Sequence, residues 1–311
     1  MLEKTEENDL DSLKQELSSL RLKHFNTDTP PKLFHYTDAR GVLGILGSQQ
    51  LWATHALYLN DTTEICHTQG LVEEIYLSLI DQAKPDDKAK LDFNNPLWIY
   101  RDFLHRLSYQ TARVKPNPDF FVACFCEKDD LLSQWRGYGN RGFGYAIGFD
   151  TKRLSYPNNT FELRKVIYSV EEQKQIINEI LEAVIASLKR MTNTMNVDSA
   201  DSIAEAHAHI FEEEITKYAT FFKHPTFHEE NEWRLIYLPI ENAYSNQMKY
   251  RGGCLGIIPY VEVDLPNGKN NIASIRIGPT VQPELAKKAL EMLAGIKYPN
   301  LDISSSAIPL R

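Results

Sequence analysis

FHEENEWRLIYLP, Phe227 to Pro239, is the stretch on which the reading of the fold depends. Trp233 to Leu238 has the aromatic and aliphatic composition of a strand, and Pro239, which has no N–H to donate, stops it. Glu is poor in strands, and a carboxylate buried without partners is costly. Residues i and i+2 of a strand share a face. A strand reaching back to Glu230 therefore sets Glu230 and Glu232 on one side, lining a cleft. The other reading is a solvated strand start, where acidic residues close a loop.

The 311 residues are enough for a substantial core, and 42% hydrophobic with 24% charged residues is the balance of an ordinary globular chain. No apolar run approaches the roughly 20 residues of a membrane span. The first segment, MLEKTEENDLDSLKQELSSL, is acidic and helical in pattern, so no signal peptide and no membrane partner are expected. Cys66, Cys124, Cys126 and Cys254 have neither a disulfide framework nor zinc spacing, and a reduced cytoplasm is the expected setting. A net charge of −8 excludes the broad basic footprint of a duplex-binding protein, while nucleic acid stays open as a substrate.

Outward from the opening stretch, residues 1–24 predict a helix with a stripe of Leu10, Leu13, Leu17, Leu20 and Leu22, placed to cap the domain or to mediate an oligomer contact. Lys32 to Thr37 reads as a strand. Asp38 caps a helix ending near Gly47, and residues 51–59 look extended. Asn60-Asp61 turns the chain into a helix over 62–82, and Pro96 to Val114 predicts another. Strands are expected at Phe120 to Cys126, Gly142 to Asp150 and 161–169. Between the first two, SQWRGYG with Gly137, Gly139, Gly142 and Gly144 reads as a flexible turn. Residues 170–222 are helical with a polar centre at 191–203. Strands at 233–238, 259–265 and 272–278 and a helix at 283–295 lead to the tail SSSAIPLR.

Strands and helices mix without regular alternation, which predicts an α+β fold with a mixed or antiparallel sheet core and peripheral helices. The expected organisation is an N-terminal helix and connector over 1–30. A single domain over 31–311 follows, carrying a helical insertion at about 170–222.

No phosphate-binding glycine loop, nucleophile elbow or His-Glu-x-x-His is present. His207 and His209 diverge on a helix, and Pro225 separates His224 from His228, so no metal centre is expected. Cys124 and Cys126 share a strand face among apolar neighbours and read as core thiols. Four polar islands remain: His35-Tyr36-Thr37, Asn60-Asp61 with Glu64, Trp135-Arg136 with Tyr138, and Glu230 with Glu232.

The blocks LFHYTD, LWATHALYLNDTTE, FFVACFCEKDDLLSQWRGYGNRGFGYAIGFD, HPTFHEENEWRLI, IRIGP and SAIPLR follow one another in an order that resembles the bacterial domain-of-unknown-function family 2971, over roughly residues 32 to 311. More distantly, the layout is similar to the ADP-ribosyltransferase fold. That resemblance implies NAD⁺ as substrate, with His35 on the adenosine ribose, Trp135, Tyr138 or Tyr36 against the nicotinamide, and Glu232 on the nicotinamide ribose. Glu230 would activate the acceptor, and Thr37 and Arg234 would complete the cofactor-binding set. Two departures stand out: Tyr36 occupies a position that is commonly Gly, and Cys124-Phe125-Cys126 replaces a Ser-Thr-Ser segment. The implied role is a toxin or phage-defence effector that modifies a protein or nucleic acid acceptor and is held in check by a neutralising or regulatory partner.

Two other readings stay open. One is a metal-dependent nuclease or nucleotide hydrolase using Asp61, Glu64 and the Glu pair. The other is a non-catalytic module that binds a nucleotide or a partner. For Arg234 an ion pair with a neighbouring carboxylate is expected, Asn60-Asp61 also fits a helix cap, and Arg311 has either a packing or a ligand role.

Overall fold

In the computed structural model, the described residues are 4–25, 28–59, 63–82, 103, 106, 120–139, 143–154, 161–192, 200–237, 247–253, 256–295 and 297–309. The chain divides into two compact units, one of Thr27–Asn60, Asp119–Val166 and Thr226–Arg311, the other of Met1–Asn26, Asp61–Pro118 and Ile167–Pro225. Helices are α1 (Lys4–His24), α2 (Ala39–Ser48), α3 (Thr63–Gln82), α4 (Leu132–Tyr138), α5 (Val170–Thr192), α6 (Ala200–Ala219) and α7 (Pro283–Ala294). Strands are β1 (Lys32–Thr37), β2 (Gln50–His55), β3 (Phe121–Cys126), β4 (Tyr145–Asp150), β5 (Phe161–Lys165), β6 (Glu232–Tyr237), β7 (Lys249–Gly253), β8 (Gly256–Asp264), β9 (Ile272–Ile277) and β10 (Asp302–Ser305). All of these strands fall in the first unit; α1, α3, α5 and α6 fall in the second.

The strands form one mixed sheet in the order β10-β9-β4-β1-β3-β2-β8-β7, with β6 pairing β3 and β5 pairing β6. Only β10 and β9 pair in parallel among the described ladders, so the sheet is mixed and largely antiparallel. Its core is built from Leu33, Phe121, Phe125, Ile147, Phe149, Trp233, Leu235 and Val261, with α2 and α7 contributing Val42, Ile45, Leu46, Leu290 and Ala294. All six positions of β6 are buried, which is why the opening stretch shows a continuous rather than an alternating pattern.

β3 positions the site. One of its edges pairs along its whole length with β6, from Phe121 opposite Tyr237 to Cys126 opposite Glu232. The other edge is shared. β1 meets it at Phe34 opposite Cys126, and β2 meets it at Thr54 opposite Val122. Between these two meetings the sheet forks at Cys124.

Several local expectations are corrected. α2 runs to Ser48, near the expected end at Gly47, and the left-handed residue that ends it is Gln49 (φ 60). The extended stretch 51–59 is a strand only to His55. Ala56–Tyr58 then forms a 3-10 turn, its Leu57 N–H donating to His55 Nδ1. The glycine-rich SQWRGYG is α4 over Leu132–Tyr138, not a flexible turn, because buried Trp135 anchors it and Trp135 N and Gly139 N bond to Leu131 O and Trp135 O. β7 and β10 were not expected at all.

In the helical unit α1 buries Leu10, Leu13 and Leu17, while Leu22 stays exposed. Arg21 Nη1 bonds both oxygens of Glu214 at 2.7 and 2.9 Å. His24 lies between the Tyr218 hydroxyl (2.7 Å) and Glu179 (2.9 Å). That bond to His24, with help from Gln175 and Lys23, holds the Glu179 carboxyl down at about 2. Leu10, Leu13 and Leu17 of α1 are thus buried within this unit, which also contains α5 and α6. The helix expected at Pro96 to Val114 lies outside the described residues except for 103 and 106, and so do residues 193–199 of the expected polar loop. Among the described residues no helix is long and apolar enough to cross a membrane.

Candidate functional site

The opening stretch folds in two steps. Pro225–Glu230 is a 3-10 turn, and β6 begins only at Glu232. Asn231 between them has φ 42 and donates its side-chain N–H to Glu229 O at 2.9 Å. Asn is among the few non-glycine residues that take this conformation at small cost. Glu230 and Glu232 therefore do not share a strand face, and the i, i+2 relation expected of them is broken at Asn231.

Glu232 is 4% exposed, and its burial has a specific compensation. Arg234 donates Nε to one carboxylate oxygen at 2.9 Å and Nη2 to the other at 3.0 Å. Two parallel charge-assisted bonds of this kind are what a carboxylate needs away from water. The ion pair expected for Arg234 is present, and Glu232 is fixed at the head of the strand.

Register places Glu232 opposite Cys126, and Cys126 opposite Phe34. By alternation, Tyr36, Cys126, Glu232 and Arg234 share one face of the sheet. Neighbouring strands are about 4.8 Å apart, so the Phe34 and Glu232 backbones are separated by about 10 Å. Tyr36 and Trp135 meet edge to face with centroids 4.6 Å apart. The Tyr36 hydroxyl donates to Lys128 O (2.9 Å) and accepts from Leu131 N–H (3.1 Å), and burial pushes its ionisation up. Trp135 Nε1 donates to Asp130 at 2.8 Å, and the same carboxylate accepts from Ser306 Oγ and Ala307 N–H. Both rings are internal: Trp135 is 1% exposed, buttresses Tyr36, and presents no open face to a ligand.

Cys126 belongs to the same cluster. Burial raises its thiol to about 11, assisted by the charges of Glu127 and Glu230 against the opposing bond from Lys128 N–H. It stays protonated at neutral pH, as expected of a core thiol.

His35 has the opposite parity from Tyr36 and stands at the fork. Its Nδ1–H donates to Cys124 O at 2.9 Å, filling the gap left where β1 and β2 part, and its ring meets Phe125 edge-on at 5.9 Å. Burial, with the charge of Arg251, lowers its pKa in spite of the bond to Cys124. The imidazole is neutral, and the carbonyl fixes the tautomer with the Nε2 lone pair pointing away from the Cys124 bond. Thr37 packs against the first turn of α2, where its Oγ1 occupies the space next to Gly41. Tyr138 is exposed at the end of α4.

The structure thus gathers Tyr36, Cys126 and Trp135 into one cluster and pairs Glu232 with Arg234 on the same sheet face across β3, with Glu230 close enough for its charge to act on Cys126. His35 stands at the fork with the opposite parity, held by Cys124 O, and Thr37 packs against the first turn of α2. Asn60, Asp61, Arg311 and the Glu64 side chain lie outside the described residues.

Residues not anticipated from sequence also hold the site. Asp130 and the Asp129–Arg276 pair (2.7 Å) fix the 128–131 segment, and Arg276 also donates to Ser305 O. The sequence signal for them is the pair Asp129-Asp130 directly after an apolar strand, where a partly buried carboxylate gains from partners. Arg251 lies on β7, a strand whose glycines hid it.

A family model described as a protein of unknown function (DUF2971) matches residues 134–235, about a third of the chain. That span contains Trp135, Tyr138, Glu230, Glu232 and Arg234. No curated protein and no solved structure gives a match. Over residues 134–235 the chain is similar to the DUF2971 family of proteins of unknown function.

Proposed function

We propose that the sheet unit binds NAD⁺ and acts as an ADP-ribosyltransferase-like enzyme, transferring ADP-ribose to a macromolecular acceptor. The observation that carries this reading is the fork: a neutral His35 held by Cys124 O, with a fixed carboxylate at the head of the strand on the far side of β3. The His35 Nε2 lone pair suits a ribose hydroxyl as donor. Glu232, oriented by Arg234, places fixed negative charge beside the second ribose. Cleavage breaks the C1′–N bond, the electron pair leaves with nicotinamide, and positive charge develops on the ribose. A preorganised carboxylate stabilises that charge more than it stabilises the ground state. Glu230, on the turn outside the strand, takes the proton of the incoming acceptor hydroxyl or amine. A role as a bacterial toxin or defence effector, with a neutralising partner, follows from resemblance of fold alone.

The test is nicotinamide release and labelled ADP-ribose transfer in cell lysate, for wild type and Glu232→Gln. The expected result is release that falls about 10²–10³-fold in the variant. Wild type that neither releases nicotinamide nor binds NAD⁺ by calorimetry overturns the reading.

A further inference from the structure

Three strands carry a second group of side chains onto the same face as Glu232. On β2, Trp52 and Thr54 alternate onto that face, since Thr54 lies opposite Val122 and Val122 alternates with Cys126. On β8, Tyr260 lies opposite Thr54, and on β7 Arg251 lies opposite Ile258, two residues from Tyr260. Arg251 donates Nη2 to Thr54 Oγ1 at 2.8 Å, and its guanidinium carbon is 5.9 Å from the centre of the Trp52 ring. Tyr260 packs against Trp52, with centroids 4.5 Å apart and planes tilted by 34°.

This arrangement differs from ordinary core packing in one respect. Trp52 is 44% exposed although Tyr260 beneath it is buried. A tryptophan held rigidly at the surface by an aromatic and a cation offers a π-surface at low entropic cost. The guanidinium beside it, pinned by a hydroxyl, matches phosphate geometry. The charge of Arg251 also reaches the fork, where it helps to lower the pKa of His35.

We infer that Trp52, Arg251 and Thr54 form a nucleoside diphosphate subsite, with the base on Trp52 and the phosphates on Arg251. Thr54 and Glu232 stand on strands either side of β3, four β3 residues apart in register. That is about 10 Å across and about 13 Å along, the span of a dinucleotide rather than a mononucleotide. The assignment deepens the NAD⁺ reading by locating the adenosine end of the ligand, and it is tested without any turnover.

The experiment is calorimetry and tryptophan fluorescence on the full chain with ADP, adenosine and inorganic pyrophosphate as probes. The variants are Trp52→Leu, Arg251→Gln and Arg251→Lys, each checked for an unchanged thermal transition. Wild type is expected to bind ADP with quenching. Trp52→Leu is expected to weaken ADP at least tenfold while leaving pyrophosphate unaffected. Arg251→Gln is expected to weaken both at least tenfold, and Arg251→Lys to recover part of the loss. Should either glutamine or leucine variant fail to fold, the lysine variant and the base dependence in wild type (ADP against pyrophosphate) decide the matter. ADP that does not bind, or that binds all variants equally, overturns the subsite. ADP binding with this pattern in a protein that leaves NAD⁺ intact upholds the subsite and removes the transferase reading.

Discussion

Arg234 grips Glu232 from two positions along the same strand, using Nε and Nη2 on the two carboxylate oxygens at 2.9 and 3.0 Å, with both side chains almost wholly buried. A strand places i and i+2 side by side on one face, so the pair closes within β6. It compensates the burial of the ionised carboxylate and fixes its direction at the same time.

Removing one partner leaves a buried charge. Arg234→Met is expected to cost about 3–5 kcal/mol. Glu232→Gln keeps an acceptor for the guanidinium and is expected to cost about 1–3 kcal/mol. The double variant Glu232→Gln/Arg234→Met should recover much of the single Arg234 loss. Urea unfolding of all three against wild type checks the order, and a double variant no better than Arg234→Met would sink the account.

Asn231 breaks the strand because its φ is 42. Asn231→Gly is expected to be within about 0.5 kcal/mol of wild type, whereas Asn231→Val should lose about 1–3 kcal/mol, since a β-branched residue is strained there. In the transferase assay Asn231→Val should also lose activity, because Glu230 is directed by this turn. Equal stability of the two variants would show that the turn is not strained.

The first turn of α2 depends on Gly41. A Cβ at that position would lie 1.8 Å from Thr37 Oγ1. Gly41→Ala is expected to cost about 1–3 kcal/mol through this overlap. Thr37→Ala removes the nearest atom and should restore part of the loss in the double variant, which thermal denaturation measures directly.

Acid weakens the fold in two stages. Burial lowers the pKa of His35 and of His207, whose Nδ1 donates to Ile203 O and whose Nε2 accepts from Ser187. Both take up protons more readily when unfolded, so their contribution is complete above about pH 6.5 and declines as pH falls toward the folded values. Glu179 is depressed to about 2 by its bond to His24, so its contribution persists above the ordinary carboxylate range and is lost as pH falls through about 2. Chemical denaturation midpoints should fall between about pH 7 and pH 5, and His207→Gln should reduce that first decline. A flat profile over that range would contradict the neutral buried histidines.

Much of the fold was legible because it rests on local rules. The apolar run of β6, the Asp38 cap, the leucine stripe of α1 and the two long helices α5 and α6 follow from residue type and spacing. So does the Glu232–Arg234 pair, since a strand brings alternate residues together whatever surrounds it. β7 and β10 were not legible, because glycines and serines form strands only where a partner edge is supplied, here by β8 and β9.

The composition and order of the chain thus determined a largely antiparallel sheet, its principal strands and helices, and a carboxylate–guanidinium pair at the head of β6. Tertiary structure decided what those residues face. One left-handed residue separated Glu230 from Glu232, the sharing of the β3 edge by β1 and β2 set His35 against a backbone carbonyl, and packing against Tyr36 buried Trp135. Each of these depends on segments remote in sequence meeting at one edge or face, and pairwise spacing along the chain carries no information about such meetings.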